Sequence, residues 1–358
     1  MPSEKHFNRR TLLKAGAASA LAGSLSATGL SAQAATEKDD DLGVPTEPWL
    51  IDVHYHIIPD VYRDGLINAG IDLSGGIEIP PWSEQIALDA MDELMIEKAY
   101  TSVSSPGVHF GDDRKAQSLS RSVNEVAATL KQRNPDRFGG WASIPLPDVD
   151  GSLSELEYAL DTLKLDGVVL MSSQSDGRYL GDTQFDAFMA ELNRRKATVF
   201  VHPTTPVSSK DIIIDVPGFV GEFVFDTTRA ILNLVWSGTA HRYPDIKFIF
   251  SHAGGTLPYI AWRASTMDTF EEPREANFPL GMMAYFERFY YDLALSTAPY
   301  ALNSLRTLVP REKVFFGSDF PFAPMPLIKQ VSHMGLNSEG ITAEDRLVVG
   351  RENALRLL

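Results

Sequence analysis

Cysteine is absent from all 358 residues. That excludes disulfides, thiolate metal ligands and a cysteine nucleophile, and leaves imidazole and carboxylate as the available ligands. Positive charge is scarce as well: 32 Lys and Arg face 47 Asp and Glu, a formal net charge of −15. The acidic residues are scattered apart from a short run at Glu37 to Asp41, and no basic stripe forms, so nucleic acid is excluded as a partner. No GxGxxG opens a helical stretch and no GxxxxGK(S/T) occurs, which leaves dinucleotide and P-loop chemistry without support. What is present is the composition of a globular chain, 44% hydrophobic with 26 Gly and 22 Pro and no long low-complexity tract.

The N-terminus has the layout of a twin-arginine export signal. Asn8 to Lys14 read NRRTLLK, and Ala15 to Leu30 follow as a weakly apolar stretch of Ala, Gly, Ser and Leu. A membrane span needs about 20 mostly apolar residues, so stable insertion is not expected. Ala32-Gln33-Ala34 offers a small-residue cleavage site. A mature chain is expected to begin near Ala35 and to work outside the cytoplasm, in the periplasm or beyond; an uncleaved anchor or a tail is the competing assignment. Residues 35–48 then form a polar linker before a single domain over 49–358.

Eight short runs rich in β-branched and aromatic residues follow: Leu50 to His54, Ala99 to Ser104, Gly139 to Ile144, Gly167 to Met171, Thr198 to His202, Ile246 to His252, Phe289 to Leu293 and Val314 to Ser318. Amphipathic helical segments lie between them. Ser83 is placed to cap one whose Ile86, Ala90, Met91 and Leu94 share a face, and Ser152 to precede another with Leu156, Ala159, Leu160 and Leu163. Alternation of strand and helix implies a parallel sheet with helices outside, and eight repeats favour closure into an α/β (β/α)8 barrel of the TIM type. The segment from Ile57 to Trp82 is too long for an ordinary connection and sits where barrel enzymes keep substrate loops.

Four of the eight histidines and one aspartate fall at the C-terminal ends of these strands, the face on which barrel enzymes assemble their sites. His54 and His56 close the first strand in DVHYH. Alternate strand residues point to one side, so both imidazoles can reach one ion. His202 ends the fifth strand in FVHP, His252 the sixth in FSHAGG, and Asp319 follows the eighth in FGSDFP. Three imidazoles and a carboxylate make a borderline N/O set that suits Zn²⁺, with Mn²⁺ and Fe²⁺ also compatible. His109, in SPGVHFGDD beyond the second strand, is a candidate substrate contact or a brace for its loop. His241 and His333 are read as structural and surface residues.

These motifs together, HxH on strand one, His on strand five, HAGG on strand six and GSD on strand eight, resemble the amidohydrolase superfamily. Within it the chain is similar, from about Ile51 to the closing ENALRLL, to the branch that holds aminocarboxymuconate-semialdehyde, γ-resorcylate and 6-methylsalicylate decarboxylases; the segments SSPGVHFGDD, LPDVDGSL and FDTTRA are closest to the last. The resemblance implies that His54, His56, His202 and Asp319 bind the metal and that His252 is the nearby acid/base, with His252 or Asp319 delivering a proton. The fourth strand, GVVLMSS, lacks the lysine that other branches carbamylate, which implies one ion per chain. An arginine eleven positions after the sixth-strand histidine crosses from a neighbouring subunit to the substrate carboxylate in the resembling group. Arg263 matches it, implying a homodimer, with a solvated helix arginine as the alternative. Arg63 is the one basic residue between Ile57 and Trp82, and no counterpart of that group's other substrate arginine is evident. The expected activity is non-oxidative decarboxylation of a small aromatic or unsaturated carboxylic acid. A lactonase-like hydrolase using the same ligands is the alternative.

Overall fold

The computed structural model describes residues 47–212, 214–337 and 341–358. Eight parallel strands form one sheet: β1 (Leu50–His56), β2 (Ile96–Ser102), β3 (Phe138–Ser143), β4 (Gly167–Met171), β5 (Thr198–His202), β6 (Lys247–Phe250), β7 (Tyr290–Asp292) and β8 (Val314–Phe315). Each pairs with the next in chain order, so no connection crosses another. The last strand returns to the first. The Val53 N–H donates to Phe316 O at 3.2 Å, His56 N–H to Phe320 O at 2.7 Å and Asp319 N–H to His54 O at 2.9 Å, while Tyr55 and Phe320 form a parallel bridge. The expected (β/α)8 barrel is what the described residues form.

Inward-facing residues fill the barrel as a packed core. Trp141 stacks between Tyr100 and Phe200, with ring centroids at 5.1 and 6.3 Å, and its indole N–H donates to Val53 O at 2.9 Å. Outward-facing residues meet the helices in a second, larger layer that includes Tyr55, Phe138, Leu170 and Phe250. Both layers are built of buried apolar side chains, as expected of strands covered on both faces.

Several boundaries differ from the sequence reading. The first strand runs on to His56, whereas the sixth stops at Phe250, because the chain beyond it enters positive φ at His252 (53°), Ala253 (56°) and Gly254 (74°). Ser83 does cap its helix, accepting from the Ile86 N–H at 3.2 Å. The buried stripe there is Ala87, Ala90, Met91 and Leu94, and Ile86 is 43% exposed; the i, i+3, i+4, i+7 spacing starts one residue later than expected. The helix Val149–Glu157 is capped by Asp148, which accepts from Gly151 N–H at 3.1 Å, and Ser152 lies buried within it. The long segment after β1 folds as a helix, Asp60–Asn68, and a small hairpin, Leu73–Ser74 with Ile77–Glu78. The proposed signal, 1–34, and most of the linker lie outside the described residues, as does the His333 side chain. Among the described residues no helix is long and apolar enough to cross a membrane.

Candidate metal centre

The strand ends bring His54, His56, His202 and Asp319 together, with one ligand atom of each lying within 4.8 Å of the others. All four are buried. The Nε2 atoms of His54 and His56 are 3.1 Å apart, and Asp319 Oδ1 lies 3.3 Å from the first and 3.1 Å from the second. The opposite ring atoms are already engaged. His54 Nδ1 donates to Asp292 Oδ2 at 2.9 Å and His202 Nδ1 to the Pro203 carbonyl at 2.8 Å, while His56 Nδ1 pairs with Ser102 Oγ at 3.0 Å. A carbonyl or carboxylate can only accept, so in His54 and His202 the Nδ1 carries hydrogen and Nε2 faces the cluster. Converging Nε2 atoms beside a carboxylate, in a buried site, fit a divalent cation.

The charges of the four side chains depend on one another. Burial opposes charge on His54, but the Asp292 and Asp319 carboxylates outweigh it and push the imidazole up to about 10. Burial, reinforced by the neighbouring imidazoles, pulls His202 well below the ordinary histidine value, and burial also lowers His56. Burial would raise Asp319, yet His54 and His56 hold it well below the usual carboxylate range. The cluster therefore concentrates negative charge among neutral rings, with cationic character at His54.

Backbone geometry shapes the site. His252 and Asp319 both sit at positive φ, 53° and 61°, a conformation that side chains other than glycine adopt at a cost and that concentrates at functional positions. Gly317 is required by close approach: a Cβ there would stand 2.8 Å from the Cβ of His54. His252 packs beside His54 with ring centroids 4.9 Å apart. Its Nδ1 donates to Ala294 O at 2.9 Å, so in the neutral ring Nε2 carries the lone pair.

Asp292, at the end of β7, escaped the sequence reading. Besides holding His54, its Oδ1 accepts the backbone N–H of His252 at 3.1 Å and of Ala294 at 2.9 Å. Its position at a strand end, in YYDLALS, was the available signal. His109 lines a small open pocket together with Ser143 and Met171. Both its nitrogens are taken up within the protein, Nε2 by Asp113 at 2.8 Å and Nδ1 by Ser175 Oγ at 2.7 Å and Gly111 N–H at 3.2 Å. Met171 pairs in register with His202, so this cavity opens one strand from a metal ligand. Arg263 is exposed on the helix Leu257–Ser265, and among the described residues its guanidinium makes no hydrogen bond or ion pair. Arg63 braces the hairpin, donating to Pro80 O at 2.5 Å. His241 Nδ1 meets the Tyr285 hydroxyl at 3.0 Å, a structural contact.

A family model whose description is amidohydrolase matches residues 51–358. The chain belongs to the amidohydrolase family. This amidohydrolase is 38% identical over 311 residues to a 6-methylsalicylic acid decarboxylase of Penicillium expansum, covering 86% of this chain and 95% of the relative. It is also similar to a crystal structure of an amidohydrolase II, with a TM-score of 0.81 at 29% identity over 86% of this chain and 99% of the other. A 5-carboxyvanillate decarboxylase from Novosphingobium aromaticivorans, crystallised with manganese and a nitrobenzoic acid, shares the fold at a TM-score of 0.75 and 20% identity, over 88% of this chain and 96% of the other.

Proposed function

We propose that this amidohydrolase is a metal-dependent, non-oxidative decarboxylase of a small hydroxylated aromatic acid of the 6-methylsalicylate type. The observation that carries the reading is an intact His54, His56, His202, Asp319 set in a chain aligned over nearly the full length of a 6-methylsalicylic acid decarboxylase. A divalent ion held by these residues would supply Lewis acidity toward substrate oxygens, stabilising the negative charge left on the substrate as CO2 departs. The donor set favours Zn²⁺; Mn²⁺, the ion in the carboxyvanillate decarboxylase, and Fe²⁺ are the alternatives.

In the reaction the bond between ring carbon and carboxylate breaks, CO2 departs, and the electron pair left on the carbon takes a proton. We assign that proton to Nε2 of His252 in its doubly protonated, imidazolium form, which keeps the Nδ1 hydrogen on Ala294 O and becomes the neutral ring as Nε2–H passes to the carbon; Asp319, held well below the ordinary carboxylate range, is a poor proton donor. His109 is assigned to shaping the cavity wall, because its polar atoms are already bonded; direct substrate contact through the ring face is the remaining role.

Assembly as a homodimer is part of the same proposal. Tyr259, Trp262 and Tyr300 are 86%, 80% and 88% exposed on two helices, Leu257–Ser265 and Pro299–Leu308, that pack together beside Arg263. Large exposed aromatics of this density mark a contact surface. A second copy seated there would carry Arg263 to its neighbour's substrate carboxylate. Export in folded form by the twin-arginine route, to the periplasm or beyond, completes the reading; it rests on the N-terminal sequence alone.

The test is turnover of a salicylate and resorcylate panel, with lactones beside it, by metal-loaded protein in D2O and in H2¹⁸O. Deuterium on the carbon that lost CO2 is expected. Incorporation of ¹⁸O into a product acid without CO2 release would establish the hydrolase instead.

A further inference from the structure

The segment following His202 is held from behind by a chain of hydrogen bonds whose directions are all determined. His202 Nδ1–H donates to the Pro203 carbonyl at 2.8 Å. The same peptide group presents the Thr204 N–H to Ser172 Oγ at 3.1 Å. An amide N–H can only donate, so the Ser172 hydroxyl accepts there and turns its own hydrogen to Asp226 Oδ2, with which it makes a short contact. Ser172 grips the segment a second time through its backbone N–H, which donates to His202 O at 2.8 Å.

Asp226, in the FDTTRA segment of the helix Gly218–Trp236, is fully buried. Ser173 Oγ also donates to its Oδ2, at 2.8 Å, and the Tyr179 hydroxyl to its Oδ1 at 2.6 Å, while Arg229 Nη1 stands 4.0 Å from Oδ1. Burial raises the Asp226 carboxyl above its ordinary value, while three hydroxyls directed at it and a guanidinium nearby work the other way and favour the anion, which accepts only. A buried charge costs stability unless it is satisfied in this way, and these donors account for a carboxylate being tolerated there.

We propose that Asp226 is a positioning residue for the metal centre, acting on His202 through the Ser172 hydroxyl and the Pro203–Thr204 peptide group. Each link of a hydrogen-bond chain polarises the next. The carboxylate draws the Ser172 proton, the hydroxyl oxygen draws the Thr204 N–H, and the Pro203 oxygen at the other side of that peptide gains negative character. It then holds the His202 Nδ1–H more firmly, fixing the ring's tautomer and orientation and raising the basicity of Nε2. Asp226 thus does for His202 at a distance what Asp292 does for His54 by direct contact. The inference rests on His202 being a metal ligand.

The test is equilibrium metal affinity, measured on the full chain by competition of Zn²⁺ and Mn²⁺ against a chromophoric chelator, with the melting temperature of the metal-free protein recorded beside it. Asp226→Asn and Ser172→Ala are each expected to weaken Zn²⁺ binding by about 10- to 100-fold. Ser172→Thr, which retains the hydroxyl, should restore affinity close to wild type. Tyr179→Phe and Ser173→Ala remove the other donors to Asp226 and should lower the melting temperature while leaving affinity near wild type. Wild-type affinity in Ser172→Ala, or an equal loss in Tyr179→Phe, would overturn the relay. If Asp226→Asn does not fold, the Ser172→Ala and Ser172→Thr pair decides. Wild-type protein that takes up no divalent ion would defeat the metal assignment itself, whereas tight wild-type binding with an indifferent Ser172→Ala defeats only the relay.

Discussion

Asp292 Oδ2 lies 2.9 Å from Nδ1 of His54, with both side chains fully excluded from solvent. The other oxygen of the same carboxylate holds the backbone of His252. One aspartate therefore orients a metal ligand and the proposed proton donor together. Asp292→Asn keeps the shape but loses one acceptor, and is expected to weaken metal binding by about 10- to 100-fold. Chelator competition on the purified variant checks it; unchanged affinity would show that His54 needs no such support.

Metal binding should release a proton. The His54 imidazole is held up at about 10 by Asp292 and Asp319, against the opposing effect of burial, so at neutral pH it carries a proton that the ion must displace. The sign follows: affinity rises as pH increases toward 10 and falls as pH drops. In the metal-free protein, a raised histidine contributes stability fully present below its unfolded value near 6.5 and lost as pH rises through about 10. The melting temperature of metal-free protein should decline across that window while the loaded form declines less. Calorimetry in buffers of different ionisation enthalpy counts the proton directly, and a count of zero contradicts the assignment.

His252→Asn is expected to retain the ion and to lose turnover by about 10²- to 10⁴-fold, the usual contribution of a positioned acid/base group. Elemental analysis and initial rates on the same preparation separate the two effects. Loss of the metal along with activity would place His252 among the ligands.

The exposed aromatics beside Arg263 give a prediction about assembly. Trp262→Glu should convert the expected dimer to monomer in light scattering, because a carboxylate at the centre of an apolar contact must be desolvated. Arg263→Ala should leave the dimer intact and raise KM more than it lowers kcat, through loss of a charged partner for the substrate carboxylate. A fully active, concentration-independent monomer would remove the role of Arg263 across subunits.

Replacement of Arg9 and Arg10 together by Lys should retain the protein in the cytoplasm, whereas the parent chain should be recovered outside it with an N-terminus near Ala35. Cell fractionation with N-terminal analysis distinguishes the two, and equal export of the double variant argues against the twin-arginine route.

Much of the site was legible in the sequence because it obeys local rules. Strand periodicity puts His54 and His56 on one face, and HAGG and GSD mark strand ends where glycine admits close approach; a parallel eight-fold alternation then brings strand ends to one rim. Gly317 shows the rule at work, with no room for a Cβ against His54. Less legible was the division of labour behind the ligands. Asp292 meets His54 across 238 positions and Asp226 meets Ser172 across 54. Neither separation leaves a local pattern, since an aspartate at a strand end or within a helix looks alike whether it faces a partner or solvent. What the residue order determined by itself was the barrel, the ligand types and the rim on which they stand. Which carboxylate stands behind which imidazole was decided only when the barrel closed through Phe316, Phe320 and His54, because hydrogen bonds across so long a stretch of chain depend on the stagger of the whole sheet and not on any one strand.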